Sequence, residues 1–187
     1  MATTLTGTGL TYPDGSDSTD ACPIHKYRVT SGSSVDQGLQ TGTWDFINGC
    51  EINMGVPKAA NNWYRIEYYT CTDDQGSTNG GCGYAVYRHT PSSGWNRILD
   101  QGWHSQYENN LGDFYTNNTG LYYVPVHPSY PTEAHSFRLY GRRHPDCAWR
   151  VNCSIGADNR VGGWQNNLME VYEMNGDVVD FNDRTTY

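Results

Sequence analysis

Apolar and aromatic residues occur along this chain in short bursts, and clusters of Gly, Ser, Asn, Asp and Pro separate each burst from the next. No window shows the 3.6-residue apolar repeat of an amphipathic helix, whereas short runs rich in β-branched and aromatic residues are frequent. Strands are predicted at 27–30, 44–47, 51–54, 62–71, 82–88, 120–126, 134–140, 148–154, 167–174 and 177–181. Pro125 restricts its strand to an edge or a bulge, because proline cannot donate to a sheet ladder.

Two hairpins are predicted from the residues that join these strands. The polar residues 72–81 form a long loop between two strands, with Cys71 and Cys82 at its ends. Facing residues of antiparallel strands lie about 4.5–5.5 Å apart, so a disulfide between these two cysteines is sterically feasible. Asn175-Gly176 predicts a type I′ turn near the C-terminus, because that turn needs positive φ at both central residues.

The pattern predicts an all-β chain folded as an antiparallel, jelly-roll-like β-sandwich. Residues 102–118 lack a clear strand pattern and are predicted to be a long surface loop.

Residues 1–21 are predicted to be an extended N-terminal arm, and residues 22–187 a single β-sandwich domain. The arm has little to bury by itself, so it is expected to dock on a partner. Its candidate docking residues are Leu5, Leu10, Tyr12 and Pro13.

Charge and length exclude several classes of function. The 187 residues carry 12 basic and 20 acidic side chains, a net charge of −8 that disfavours nucleic acid as a partner. No run approaches the roughly 20 apolar residues of a membrane helix, so no membrane insertion is expected. The sequence shows no secretion leader, and synthesis in a cytosol is expected.

The cysteines and histidines predict no metal and no cofactor. The six cysteines include no C-x-x-C pair, and cytosolic thiols are expected to stay reduced. Cys71 and Cys82 remain the candidates if any pair is oxidised. The six histidines lack the spacings of a metal site. His144 and Cys147 flank Pro145 in what reads as a turn.

The carboxylates and hydroxyls do not predict an enzyme. Glu170 and Glu173 lie three residues apart on a predicted strand, so they face opposite sides. There is no G-x-S-x-G nucleophile motif, and Gly7-Thr8-Gly9 lacks the lysine of a phosphate-binding loop. A glycosidase, the most distant alternative, would need two carboxylates about 5–10 Å apart in a groove.

Aromatic residues are the remaining candidates for function. Trp63 and Trp149 lie on predicted strands and are expected in the core. Other aromatic residues lie beside small polar residues in predicted loops, where aromatic side chains serve as binding anchors. These candidate surface-recognition residues are Trp95, Trp103, Tyr107 and Trp164. The alternative is that they make subunit contacts or pack within their own loops.

Three segments resemble structural proteins of marine and cyanobacterial tailed phages. Residues 5–16 read LTGTGLTYPDGS and are similar to a recurrent stretch that precedes a small β domain in those proteins. Residues 61–66 and 168–173 are similar to strands of their jelly-roll domains. The resemblance implies a virion component, a homotrimer, assembled in the host cytoplasm with reduced cysteines. It also implies that residues 1–16 contact other virion proteins.

Three non-catalytic functions are compatible with these observations. The first is a short tail fibre or spike subunit that attaches to a host-surface glycan or protein. The second is a capsid decoration or cement protein that stabilises the shell. The third is a free sugar-binding, lectin-like module.

Overall fold

Every regular element in the described part of the chain is a β-strand, which confirms the predicted all-β antiparallel fold. The computed structural model describes residues 4–6, 9–11, 25–30, 37–38, 42–74, 80–106, 114–143, 149–151 and 168–176. Strands β1 to β12 are Thr4–Thr6, Gly9–Thr11, His25–Thr30, Gln37–Gly38, Asp45–Gly55, Trp63–Asp74, Gly80–Thr90, Gly94–Gln106, Phe114–Pro125, His135–Arg143, Trp149–Val151 and Leu168–Met174.

The strands form two main sheets and one small sheet. The four-stranded sheet has the order β5-β10-β7-β8. The six-stranded sheet has the order β3-β12-β6-β11-β4, and β9 pairs with the other edge of β6. Within the predicted arm, β1 and β2 pair as a two-stranded sheet of their own, with Leu5 opposite Leu10. Tyr12 and Pro13 lie outside the described residues.

Alternate side chains of the two main sheets meet in one core. Along β6, Tyr64, Ile66 and Tyr68 are buried while the residues between them are half-buried. The Tyr64 ring lies 4.9 Å from that of Phe137 on β10, so the two sheets are in direct contact. Complete burial of a side chain of this size contributes about 1.5–3 kcal/mol. Trp63, predicted in the core, is half-buried because it belongs to the opposite row of β6.

The predicted hairpin between residues 62–71 and 82–88 is wrong. These residues belong to β6 and β7, which lie in different sheets. The Cα partner of Cys71 is Asn117 on β9, whereas Cys82 lies opposite His104 and Arg143 on β8 and β10. Cys82 is a buried thiol that lies 3.5 Å from the Tyr84 hydroxyl oxygen. The strand pairing on which the predicted Cys71–Cys82 disulfide depended is therefore absent.

Residues 45–47 and 51–54, predicted as parts of two strands, belong to the single strand β5, and Trp44 directly precedes it. Asn48 and Gly49 loop out of it as a bulge, because four residues of β5 lie between the partners of Arg138 and Tyr140. Gly49 takes a φ of 83°, which glycine adopts without steric cost. Ile47 and Cys50 on either side of the bulge are both buried, so the chain re-enters the core directly after it. Burial raises the pKa of the Cys50 thiol to about 12.

The predicted long loop at 102–118 is also wrong over most of its length. Strand β8 continues to Gln106, and β9 begins at Phe114. β8 is the last strand of its sheet, and β9 pairs with β6 alone among the described strands. Edge strands carry polar side chains that conceal the period-2 pattern. Pro125 ends β9, which confirms its predicted place on an edge strand.

The turn after β12 differs from the predicted type I′ turn. Leu168–Met174 is a strand, but Gly176 does not have the positive φ that this turn requires. Glycine is needed there because a Cβ atom would lie 1.7 Å from the Asn61 carbonyl oxygen. The Gly176 amide donates to the Asn62 side-chain oxygen at 3.2 Å. The return strand predicted at 177–181 lies outside the described residues.

Replacing Gly176 with alanine should destabilise the fold, because the added methyl group collides with backbone rather than with a flexible side chain. We expect Gly176→Ala to lower the free energy of unfolding by about 1–3 kcal/mol, measured by urea denaturation. Gly38→Ala is the matched control, since a Cβ there meets nothing within 4 Å. Equal stability of the two variants would contradict the close approach at Gly176.

Candidate functional site

The structure places two of the predicted recognition residues on a strand rather than in loops. Trp95 and Trp103 both belong to β8, on the edge of the four-stranded sheet. The side chain of Trp95 is half-buried. Tyr107 and Trp164 lie outside the described residues. A recognition role for these four residues stays a prediction.

Trp95 is part of a continuous array on the outer face of the four-stranded sheet. On β10, His135, Phe137 and Leu139 are buried, so the alternate residues Arg138 and Tyr140 lie on the opposite face. We call this surface the arginine–aromatic face. Its members are Trp44, Phe46, Tyr87, His89, Trp95, Arg97, Arg138, Tyr140 and Arg142.

Arg138 occupies the centre of the arginine–aromatic face. Its guanidinium carbon lies 4.1 Å from the ring centroid of Trp95 and 4.8 Å from that of Phe46. Its Nε donates to Glu51 Oε2 at 2.9 Å, and the side chain is 28% exposed. Burial acts to lower the pKa of Arg138, but hydrogen bonds with Tyr140 and Glu51 raise it above its ordinary value. The guanidinium is therefore a fixed positive charge between β5 and β8.

A second stack surrounds Trp44, just before β5. The guanidinium carbons of Arg142 and Arg97 lie 4.4 and 5.6 Å from its ring centroid. Cation–π contacts of this kind contribute about 0.5–2 kcal/mol each. The stack joins residues from three different strands or their ends, so it fixes the side chains of the face in one arrangement.

Aromatic rings complete the array between the two stacks. Tyr87 and Tyr140 are 4.1 Å apart between centroids, and Phe46 lies 5.9 Å from Tyr140. The His89 ring lies 5.0 Å from Trp95. The rings are tilted to one another, and guanidinium groups lie over Trp44, Phe46 and Trp95. Aromatic rings and guanidinium groups of this face therefore pack against one another.

The arginines of this face were missed by the sequence prediction, which considered only the tryptophans. The signal was present in residues 138–142, where Arg138, Tyr140 and Arg142 alternate with apolar or small residues. In a strand, that alternation puts all three on one face. The aromatic partners on β5 and β7 could not be found this way, because their neighbours depend on the strand order.

Glu170 and Glu173 face opposite sides of β12, as predicted. Glu173 is fully buried, and its Oε1 accepts from the Lys58 amide and the Asn62 side chain, both at 2.6 Å. Burial, together with the Glu173 charge, raises the pKa of the nearby Tyr64 hydroxyl. These groups have no route to solvent, so Glu173 acts as a structural acceptor that ties residues 58–62 to β12.

A groove of about 310 Å³ lies on the outer face of the six-stranded sheet. Leu121, Leu168 and Tyr69 line it, and Glu67 and Glu170 are Cα partners within it. Glu67 forms a salt bridge with Arg65, and Glu170 accepts from the Tyr172 hydroxyl at 2.5 Å. Register also places Arg28 beside Glu170. Both carboxylates of the groove therefore have internal partners.

His135 is a buried histidine whose neutral form is satisfied on both nitrogens. Nδ1 lies 2.9 Å from the Glu133 carbonyl oxygen, to which it donates, and Nε2 accepts from the His127 amide at 3.2 Å. A second proton, on Nε2, would point at the His127 amide N–H, and Nε2 could no longer accept its hydrogen bond. Burial, with a smaller contribution from the nearby Arg88 charge, lowers the pKa of His135 to about 4.

In the described ranges, no group of three or more His, Cys, Asp or Glu side chains is arranged to hold a metal ion. No helix among the described residues has the length and apolar character needed to cross a membrane.

Comparisons with known proteins give weak likenesses only. No protein-family model and no curated protein matches the chain. The chain is similar to a solved structure of the T13 IBDV viral particle, with a TM-score of 0.44 and 10% identity over 92% of this chain and 39% of that one. It is similar to the infectious bursal disease virus VP2 subviral particle, with a TM-score of 0.42 and 12% identity over 80% of this chain and 36% of that one.

A third solved structure, of the infectious bursal disease virus Gt strain, has a TM-score of 0.42 and 13% identity over 93% of this chain and 42% of that one. The chain thus spans about two fifths of the length of the structures it matches. At TM-scores under 0.5, these likenesses carry no argument about function.

The buried His135 makes stability depend on pH. The unfolded side chain takes up a proton near pH 6.5, whereas the folded one does so only near pH 4. The neutral His135 ring therefore makes its full contribution to the free energy of unfolding above pH 6.5. As the pH falls toward 4, that free energy decreases by up to about 3 kcal/mol. NMR titration of the imidazole should give a pKa near 4. A His135 that titrates near 6.5 would contradict its burial as a neutral ring.

The contact of Arg138 with Trp95 should be measurable as a coupling energy. A double-mutant cycle with Arg138→Gln and Trp95→Leu is expected to give about 0.5–2 kcal/mol in urea denaturation. Arg138→Gln combined with Trp63→Leu is the control, because Trp63 lies on the other sheet and the two effects should add. A coupling of zero between Arg138 and Trp95 would show that the stacked arrangement does not persist in solution.

Proposed function

We propose that this chain is a non-catalytic structural protein of a virion, a short tail fibre or spike subunit. In this proposal residues 1–16 dock on another virion protein, and the β domain contacts the host surface. The family proposed is that of the structural proteins of marine and cyanobacterial tailed phages, which residues 5–16 resemble. Homotrimer formation and assembly in the host cytoplasm belong to the same proposal.

The pairing of β1 with β2 is the observation that carries the docking role. Both strands belong to a two-stranded sheet separate from the two main sheets, so they contribute no strand to the sandwich. A two-stranded hairpin is marginally stable alone in water. Contact with a partner protein would bury apolar side chains of the hairpin, and Leu5 and Leu10 are the proposed apolar contacts.

The arginine–aromatic face favours a second candidate, a capsid decoration or cement protein. Trp95 lies on the side of a sheet among arginines, and not in a loop at the end of the domain. Trp, Tyr and Arg are the side chains that dominate protein–protein interfaces. A broad side of the sandwich would suit contact with neighbouring subunits, whereas attachment by loops would suit a fibre tip.

Deletion of residues 2–16 tests the docking role. We expect the truncated protein to keep its β domain, with an unchanged circular dichroism spectrum and cooperative unfolding. It should be lost from purified particles, as measured by quantitative mass spectrometry of virions. The matched control is Thr8→Ser, which keeps the arm and should be incorporated normally.

Two results would contradict this proposal. Normal incorporation of the truncated protein would show that residues 2–16 are not the docking element. Failure of the truncated protein to fold would show that the chain does not divide into an arm and an independent domain.

A further inference from the structure

Strand β9 differs from the other edge strands of the two main sheets. Edge strands of natural sheets usually carry charged residues, have bulges or are very short, and each of these features prevents pairing with another chain. Charged residues occur in β3, β5 and β8, the ladders of β5 and β8 have register shifts, and β4 has only two residues. The 12 residues of β9 include no charged residue, and its ladder with β6 runs without a shift.

The composition of β9 is unusual for this acidic chain. Residues 114–132 contain no Asp, Glu, Lys or Arg, and this is the longest such run in the sequence. On the outer face of β9, Leu121 is 50% exposed and Tyr123 is 37% exposed. A chain with a net charge of −8 repels its own copies on average, but this edge adds no charge to that repulsion.

The hydrogen-bond pattern shows which backbone groups of β9 point away from β6. The Val126 amide donates to the Asn62 carbonyl at 2.9 Å, one position beyond the end of the ladder. Because hydrogen-bonded pairs alternate along an antiparallel ladder, even-numbered residues of β9 bond to β6 and odd-numbered residues, such as Leu121, direct their amides and carbonyls outward. Pro125 fits this pattern, since it has no amide and its carbonyl accepts from the Arg88 side chain at 2.8 Å.

We propose that β9 pairs in antiparallel fashion with β9 of a second copy of this chain, so that the two six-stranded sheets become one. A strand that occupies this edge must be extended, uncharged and open along one edge itself. Among the described strands of the main sheets, β9 meets these requirements. A contact between two identical surfaces is closed by a two-fold axis, so the assembly ends at a dimer. The inference goes beyond the proposed function and does not depend on the chain being a virion protein.

Leu121 is the expected centre of the contact. When two copies of one strand meet on a two-fold axis, one residue lies opposite its own copy. With Leu121 in that place, the two residues exchange both N–H···O bonds at a Cα separation of about 5.5 Å. Their exposed side chains then bury each other on the outer face. The ladder ends at Pro125, whose carbonyl already accepts from Arg88.

Sedimentation velocity of the full chain at increasing protein concentration tests the inference. We expect a monomer–dimer equilibrium that changes little with salt, because the contact contains no ion pair. Leu121→Lys should weaken dimerisation about fivefold or more, since it places like charges directly opposite each other. Val56→Lys is the matched control, because it makes a similar change at a residue that is 55% exposed and lies outside β9. Both variants should fold normally, as checked by circular dichroism.

Amide hydrogen exchange, measured by NMR at low and high protein concentration, locates the contact. The Thr119 and Leu121 amides, which point away from β6, should exchange more slowly in the dimer. The Tyr122 amide is the internal control, because the alternation of the ladder bonds it to β6 in both states. Equal exchange of the Leu121 amide in monomer and dimer would contradict the pairing.

Several outcomes would overturn the proposal. The chain could remain monomeric at every concentration, or Leu121→Lys could dimerise as the unmodified chain does. Growth into open-ended aggregates would show that the contact is not closed by a two-fold axis. Loss of the dimer on deletion of residues 2–16 would assign the contact to the arm. Incorporation of the truncated protein into particles is a separate measurement, so this inference and the docking role can fail independently.

Discussion

Strand β6 is the element on which the rest of the fold depends. It pairs with β9 from Trp63 to Asp74 along one edge, and with β12 and then β11 along the other. Its buried row packs on the opposite sheet, where Tyr64 meets Phe137 and Tyr68 meets Tyr84 at 5.5 Å. Loss of β6 would separate β9 from the six-stranded sheet and expose the aromatic contacts between the sheets.

The position of β6 also determines which surfaces face outward. Because its inner row is committed to the core, its outer row forms the acidic groove of the six-stranded sheet. The four-stranded sheet, fixed by the same core contacts, presents its arginines and aromatic rings on the other side. The two broad sides of the sandwich therefore differ in chemistry.

Local patterns in the sequence predict most of the strands but not how they pair. The residues predicted as strands at 134–140 and 167–174 form β10 and β12 in the structure. Buried and half-buried residues alternate along most of both strands, because each strand buries one face. The hairpin predicted between β6 and β7 is wrong for a non-local reason. Both edges of β6 pair with strands whose residues are 40 or more positions away in sequence. The cross-strand pairing that favoured a disulfide between Cys71 and Cys82 is absent for the same reason.

The candidate site could be predicted only in part. Trp95 was recognisable as a candidate binding residue from its type and polar neighbours. Its partners Arg138 and His89 come from two other strands, so they become visible only once the order β5-β10-β7-β8 is known. Gly176 shows the same limit: its sequence context indicates a turn, whereas its requirement for glycine comes from the Asn61 carbonyl.

The proposed role as an assembly protein is tested most directly by a cryo-electron microscopy map of a particle that contains this chain. The account predicts that residues 1–16 of each copy contact another virion protein, with Leu5 and Leu10 at the contact. A map in which residues 1–16 of every copy contact no other protein would contradict it.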